Sequence, residues 1–284
     1  MVNRWRFPIA AHLSIGSLDR PPFAATAGSS DPVAQILAAA TAGFSGVCDN
    51  QLLDRSSSDQ QRMGRVLADT GLELGSISLS PLGRPQLNLT DLDAHIEASL
   101  GLCLDAIERV ASEGATFGSV TAMVQEGDGT REEQVLRVAH NLEQGVRFAE
   151  RHDMRIGLEA VSRQRMPSSL VERVGDAALL VDAIGSPHLG LVLDSAHAWF
   201  AGDDLVEQVI RFGPSLMSIQ FADMPGRVEP GAGMIDFSGL SDALESVGWT
   251  GLLEAELFAS KPGLVGERAI LSALDTVFAP LAAQ

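Results

Sequence analysis

Short runs of apolar residues alternate along this chain with longer stretches in which apolar positions recur every three or four residues. The first pattern is that of a strand buried on both faces, the second that of a helix with one face on a core. The short runs predict strands over residues 7–15, 46–49, 74–79, 117–123, 155–161, 189–194, 216–223 and 252–257. The longer ones predict helices over 31–42, 57–70, 91–113, 131–152, 168–184, 203–212, 238–247 and 263–278. Asp31 ahead of Pro32, and Thr90 with Asp91, are helix-start signals, while Gly43, Gly71, Gly185 and Gly248 stand where helices should stop. Strands that alternate with helices pair in parallel, and eight such units close a barrel. The expectation is an α/β fold, a single (β/α)8 TIM barrel over residues 1–284. A doubly wound open sheet is the alternative, but its glycine-rich phosphate loop is missing.

Composition narrows the chemistry. A chain of 284 residues that is 45% hydrophobic can build one large core without a metal or disulfides to hold it. Cys48 and Cys103 show no C-x-x-C spacing and read as reduced core residues. The formal charge of −17 speaks against nucleic acid, because a phosphate-backbone binder needs a basic surface. There is no tyrosine to act as an acid or base, and Lys261 is the sole lysine, so Schiff-base chemistry has one candidate. Arg4 and Arg6 precede an apolar stretch, but Pro8 and His12 interrupt it, and it reads as a strand and not as a signal peptide. No apolar run nears the ~20 residues of a membrane span. The expectation is a cytoplasmic protein with a small polyhydroxylated substrate and neither membrane nor nucleic acid as partner. Association into a homo-oligomer is left open.

In such a barrel the chemistry belongs to the C-terminal ends of the strands. There the fifth predicted strand, "RIGLEAV", carries Glu159, and the sixth, "LGLVLDSAH", ends in Asp194 with His197 three residues on. The seventh, "LMSIQFAD", carries Gln220 and Asp223, and the eighth, "GLLEAELF", carries Glu254 and Glu256. A carboxylate in an apolar strand is costly to bury unless it is paired or bound to a cation. An all-oxygen set suits one hard or borderline divalent ion, Mn²⁺ or Mg²⁺. Glu254 and Glu256 share a face, and Glu256 is preferred because it sits nearer the strand end. His197 either meets substrate or caps the next helix, and His12 is balanced between site and core. Asp223 reads as shaping its loop; Trp199 and Phe200 line the pocket or cover its rim.

The stretch "IQFADMPGRVEPGAGMIDF…GWTGLLEAELF" resembles the hydroxypyruvate isomerase group of the xylose isomerase-like barrels. Its loop motif matches at Pro225, Gly226, Arg227, Glu229, Pro230, Gly231 and Gly233, and weaker similarity extends to "AAHLSI" and "GFSGVCDNQLL". The resemblance implies a metal held by Glu159, Asp194, Gln220 and Glu256, with Glu159 and Glu256 as the acid/base pair. It also implies a substrate contact from His197; Arg227, His12 and Glu229 are the further substrate-contact candidates, with Arg227 either gripping substrate or folding the loop against Glu229. Four positions depart from the group's pattern. Val228 stands for a histidine, Met234 for a glutamate, Cys48 for a glutamate and His12 for an asparagine. The apolar Val228 and Met234 point to a less polar or larger substrate than hydroxypyruvate.

The implied reaction is isomerisation or epimerisation of a keto sugar, keto acid or polyol, by metal-assisted proton transfer next to a carbonyl. A lyase that expels water or a sugar begins with the same step and is the close alternative. An apurinic-site endonuclease shares the barrel but needs more histidine ligands than the six here, and a basic face. A non-catalytic sugar-binding barrel would have no need of both Glu159 and Glu256.

Overall fold

The computed structural model describes residues 4–15, 17–18, 21–80, 87–92, 94–111 and 118–279. Its strands are β1 (Ile9–His12), β2 (Gly46–Cys48), β3 (Glu73–Leu74), β4 (Ile77–Ser78), β5 (Val120–Met123), β6 (Ile156–Glu159), β7 (Leu189–Asp194), β8 (Leu216–Phe221) and β9 (Leu253–Ala255). All pair in parallel, in the order β3-β2-β1-β9-β8-β7-β6-β5-β4. β3 and β4 are two halves of the predicted strand over 74–79, so the ends of this order meet. Gly118 N–H donates to Leu74 O at 2.8 Å across the seam, and the sheet is a closed barrel.

The split inside that strand has a local cause. In a regular strand the N–H groups of residues two apart face the same neighbour. Here Gly75 N–H donates to Val47 O at 2.7 Å, whereas Ile77 N–H donates to Ser119 O, on the opposite side, at 3.0 Å. The intervening Ser76 N–H leaves the ladder and donates to Glu254 Oε1 at 2.8 Å, inside the barrel. A buried carboxylate has taken a backbone donor from the sheet.

The helices are α1 (Ala24–Ala27), α2 (Pro32–Ala42), α3 (Ser57–Thr70), α4 (Ile96–Ala111), α5 (Arg131–Arg151), α6 (Val174–Ile184), α7 (Ser195–Ala201), α8 (Leu205–Phe212), α9 (Phe237–Ser246) and α10 (Gly263–Val277). Caps set several of their ends. Asp31 accepts from Val33 N–H ahead of Pro32, Thr130 and Glu133 form a reciprocal capping box, and Gly43, Gly71 and Gly185 close α2, α3 and α6 in the left-handed conformation.

Three predicted helices begin later than their pattern. The helix placed from 91 starts at Ile96, because α5 side chains pin the chain before it. Asn141 Nδ2 donates to Leu89 O at 2.8 Å, and Arg137 Nε to Thr90 O at 2.6 Å. The predicted ends at 113 and 117 lie outside the described residues. The helix placed from 168 starts at Val174, since Leu170 N–H donates to Val124 O at 3.0 Å and Val161 N–H to Val171 O at 3.0 Å. This stretch doubles back along the ends of β5 and β6 before the helix begins. The helix placed from 203 starts at Leu205, where Asp204 caps it. Two short helices, α1 and α7, had no counterpart among the predictions.

Candidate active site

The mouth of the barrel is assembled from the ends of β6, β7, β8 and β9. Glu159 is the last residue of β6, Asp194 the last of β7, and Gln220 the penultimate of β8. Glu256 follows β9 directly. Its N–H turns back to Glu254 O at 2.9 Å, a tight three-residue turn that ends the strand and tips the side chain onto the mouth. Asp194 does two jobs at once: Oδ1 accepts from Ala196 N–H at 2.6 Å and caps α7, while Oδ2 faces the site.

A loop then lays a guanidinium over these carboxylates. Asp223 and Val228 bond each other's backbone at 2.8 and 3.0 Å, folding 223–228 into a tight reversal. The Asp223 carboxylate accepts from Met224, Gly231, Gly233 and Ile235 N–H groups at 2.8–2.9 Å, so it shapes the loop. Gly233 is required there, because a Cβ would meet Met224 O at 2.4 Å and Asp223 Oδ1 at 2.5 Å. Arg227 sits at φ 54°, rare for a residue with a side chain, and the reversal holds it there. Its Nη2 reaches Asp194 Oδ2 at 2.8 Å and Glu256 Oε1 at 2.7 Å, and its Nε donates to Glu256 O at 2.9 Å.

His197, projected by α7, brings Nε2 to 3.6 Å from Glu159 Oε1 and 3.8 Å from Asp194 Oδ2. One ligand atom each from Glu159, Asp194 and His197 lie within 4.8 Å of one another. Burial is the largest influence on Glu159, and with Asp194 and Glu256 beside it raises the carboxyl well above the usual range. Glu256 is also raised by burial, against the pull of Arg227. Burial pushes Asp194 the same way, but Arg227, His197 and two backbone N–H groups outweigh it and hold the carboxyl low. Burial lowers His197 too, which favours its neutral form near neutral pH. Among the described residues, the three buried carboxylates thus share the Arg227 guanidinium. That excess of negative charge is what a divalent cation would balance, and oxygen donors with one imidazole suit such an ion. The residues fit the cation that the sequence implied.

Glu159, His197, Gln220, Arg227 and Glu256 all line a cavity of about 440 Å³. Gln220 directs Nε2 toward Glu254 Oε2 and Ser76 Oγ, each at 3.4 Å, which leaves its carbonyl oxygen as the end free to serve a cation. Asp194 lies behind this surface, bridged to it by Arg227. Two residues expected to touch substrate are elsewhere. Glu229 accepts from Ser260 N–H at 2.8 Å and from the Ser260 hydroxyl, so both its oxygens tie the loop to the chain after β9. It makes no pair with Arg227. His12 is buried below the mouth, with Nε2 4.0 Å from Glu256 Oε2, and burial lowers its pKa to about 4. Glu254 lies in the barrel interior, bonded to Ser76, whereas Glu256 lines the cavity.

The apolar part of the wall comes from other residues than expected. Ile15, Met123, Val161, Met166 and Phe258 line the cavity, whereas Val228 does not and Met234 is 77% exposed on the outer loop. Trp199 and Phe200 pack edge to face at 5.0 Å outside this cavity. Ser78 and Thr121 line it from within β4 and β5, and sequence reasoning also missed Asn50 and Arg165. Each follows a strand by only a few residues, and position just past a strand end was the available signal.

Comparison with known proteins agrees with the architecture. The family model described as "Xylose isomerase-like TIM barrel" matches residues 36–276. The chain is 25% identical over 227 residues to a 2-oxo-tetronate isomerase of Haemophilus influenzae, covering 77% of this chain and 84% of that one. Among solved structures it superposes on AP endonuclease, family 2, from Brucella melitensis with a TM-score of 0.75 at 22% identity, covering 97% of this chain and 99% of the other. It superposes on the 3-keto-D-glucoside 4-epimerase of E. coli with a TM-score of 0.74 at 15% identity, covering 95% and 98%. At those identities the structural matches speak for the fold alone. With the closed parallel barrel, its carboxylate-ringed mouth and a family match spanning most of its length, this chain belongs to the xylose isomerase-like TIM-barrel family.

Proposed function

We propose that this chain is a divalent-metal-dependent isomerase or epimerase that shifts a proton between carbons next to a carbonyl, on a small keto sugar or keto acid. The observation that carries the reading is Glu159 and Glu256, on strands three apart in the barrel, lining one cavity with Asp194, His197 and Arg227 gathered at its mouth. The similarity to a 2-oxo-tetronate isomerase and, over 130 residues at 25% identity, to a D-psicose 3-epimerase of Enterocloster bolteae supports this class of substrate. The fold match to an AP endonuclease adds no case for DNA, since the chain carries a net charge of −17.

Glu159, Asp194, Gln220 and Glu256 would hold the ion, with His197 completing the set. When bound, it polarises a substrate carbonyl and the neighbouring hydroxyl, and its charge favours ionised Glu159. The protein's own groups do the rest. One of Glu159 and Glu256 accepts the proton from a substrate carbon, and the other returns one to the adjacent carbon or to the opposite face of the same carbon. A raised pKa suits both to this exchange near neutral pH. His197, a neutral imidazole, serves a substrate hydroxyl. Arg227 fixes the orientation of Asp194 and Glu256, and Met123, Val161, Met166 and Phe258 exclude water from one wall.

The test is a panel of keto sugars and keto acids in deuterated water. Metal-stripped protein should incorporate no deuterium, and Mn²⁺ or Mg²⁺ should restore incorporation into an intact product. Loss of water from the product would move the assignment to a lyase. Absence of metal-dependent exchange across the panel would refute the reading.

A further inference from the structure

Beneath the mouth lies a second group of chemically capable side chains that the reaction above does not use. His12 at the end of β1 pairs in register with Cys48 at the end of β2, and Glu254 on β9 is level with Ala10, two residues before His12. The two-residue alternation of a strand then puts all three side chains on the inner face of the barrel. They are buried, and one ligand atom from each lies within 4.8 Å of the others. His12 has a side chain that is 0% exposed, and both its ring nitrogens lack a hydrogen-bond partner among the described residues. Two such orphaned atoms facing a thiol and a carboxylate are an unmet demand for a partner.

Glu254 is prepared in the manner of a ligand. Ser76 N–H, the Ser76 hydroxyl and Gln220 Nε2 donate to its oxygens, and no cationic side chain pairs with it among the described residues. Those three neutral donors orient the carboxylate, and the Cys48 thiol is a further hydrogen-bond partner, so the proton that Cys48 gives up on binding an ion opens that side of Glu254 to the same ion. Gly75 makes room for the arrangement, since a Cβ there would lie 2.4 Å from Cys48 Sγ and 2.9 Å from Glu254 Oε1. His12 and Cys48 are also two of the positions where the sequence departs from the hydroxypyruvate isomerase pattern.

We propose that His12, Cys48 and Glu254 form a second cation site, an imidazole–thiolate–carboxylate cage for a zinc-like divalent ion inside the barrel. Nitrogen, sulfur and oxygen together select a borderline ion, in contrast to the oxygen-rich mouth above. Uptake involves no redox change. The Cys48 thiol gives up its proton to solvent as its sulfur bonds the ion, and because burial pushes that thiol well above its usual range, the release is complete and measurable. The site reaches the mouth through Gln220, whose Nε2 holds Glu254, and so it also sets the angle of the Gln220 carbonyl.

The experiment titrates the reduced, chelator-stripped full chain with Co²⁺ and follows sulfur-to-cobalt charge-transfer absorption and proton release. The expected result is one thiolate-bound ion per chain, with about one proton released that Cys48→Ser does not release. Cys48→Ser and Glu254→Gln should lose the band, and Asp194→Asn, altered only at the mouth, should keep it. X-ray absorption of the zinc-loaded wild type should show one sulfur ligand, a reading that does not depend on any variant folding. No band and no sulfur ligand in the wild type would overturn the site, as would a band that persists in Cys48→Ser. Asp194→Asn losing deuterium exchange but not the band separates this site from the one at the mouth.

Discussion

Arg227 Nη2 lies 2.8 Å from Asp194 Oδ2, while the other oxygen of the same carboxylate caps helix α7. One acid therefore fixes the helix that presents His197 and anchors the guanidinium that steadies Glu256. The link joins a strand end and the short helix that follows it to a loop residue 33 positions on, so a change at any of the three is felt at the others.

Arg227→Met should destabilise the metal-free protein by about 3–5 kcal/mol, the range for breaking a buried ion pair and stranding its partner. Asp194 and Glu256 would then face each other without a counter-charge. Adding Mn²⁺ should recover more of the thermal midpoint than it does in the wild type. Thermal unfolding with and without the ion decides this, and an unchanged metal-free midpoint would count against the bridging role.

Glu159→Gln and Glu256→Gln each keep the shape of the side chain while removing its basicity. Either should lower the exchange of substrate protons with solvent by at least ~10²-fold, the lower end for losing general acid–base catalysis. Deuterium incorporation measured for each variant checks the pair separately. Near-wild-type exchange in one of them removes that residue from the proton transfer.

The metal-stripped protein should lose stability as pH rises above 4.5. Burial and neighbouring carboxylates raise Glu159 above that ordinary value, so its contribution is fully present below 4.5 and disappears as pH climbs through the raised folded value. Glu256 acts in the same direction. Asp194, held low chiefly by Arg227 and His197 against its burial, behaves oppositely and contributes until pH falls below its ordinary 3.8. Denaturant midpoints across pH should show the alkaline-side decline shrinking in Glu159→Gln and the acid-side decline shrinking in Asp194→Asn. A saturating divalent ion should flatten the former in the wild type.

Asp223→Ala removes one acceptor from four backbone N–H groups at once. The cost should reach about 3 kcal/mol, the upper value for a single hydrogen bond to a charged group. Limited proteolysis should open the chain between 224 and 236, and KM should rise more than kcat falls, because the loop carries Arg227. Proteolysis and stability indistinguishable from wild type would show that the four bonds do not hold the loop.

Asp223 and Glu229 mark the divide between what could be read in the chain and what could not. Both are acids in one loop motif. The sequence supported a shaping role for Asp223, but it gave no means of seeing that Glu229 turns away to Ser260 and leaves Arg227 to Asp194 and Glu256. His12 was balanced between core and site, and its level below the mouth depends on how far β1 slides against β2 and β9.

The barrel and the candidate carboxylates are legible in the chain alone, because apolar periodicity is a local property and a parallel strand presents its chemistry at its C-terminal end. Tertiary structure alone decided which charges meet. The break at Ser76, the Arg227 bridge and the buried trio of His12, Cys48 and Glu254 join residues up to more than 200 positions apart, as between His12 and Glu254. Such contacts follow from barrel closure and strand register, which bring distant side chains to one layer, and no local pattern records that layer.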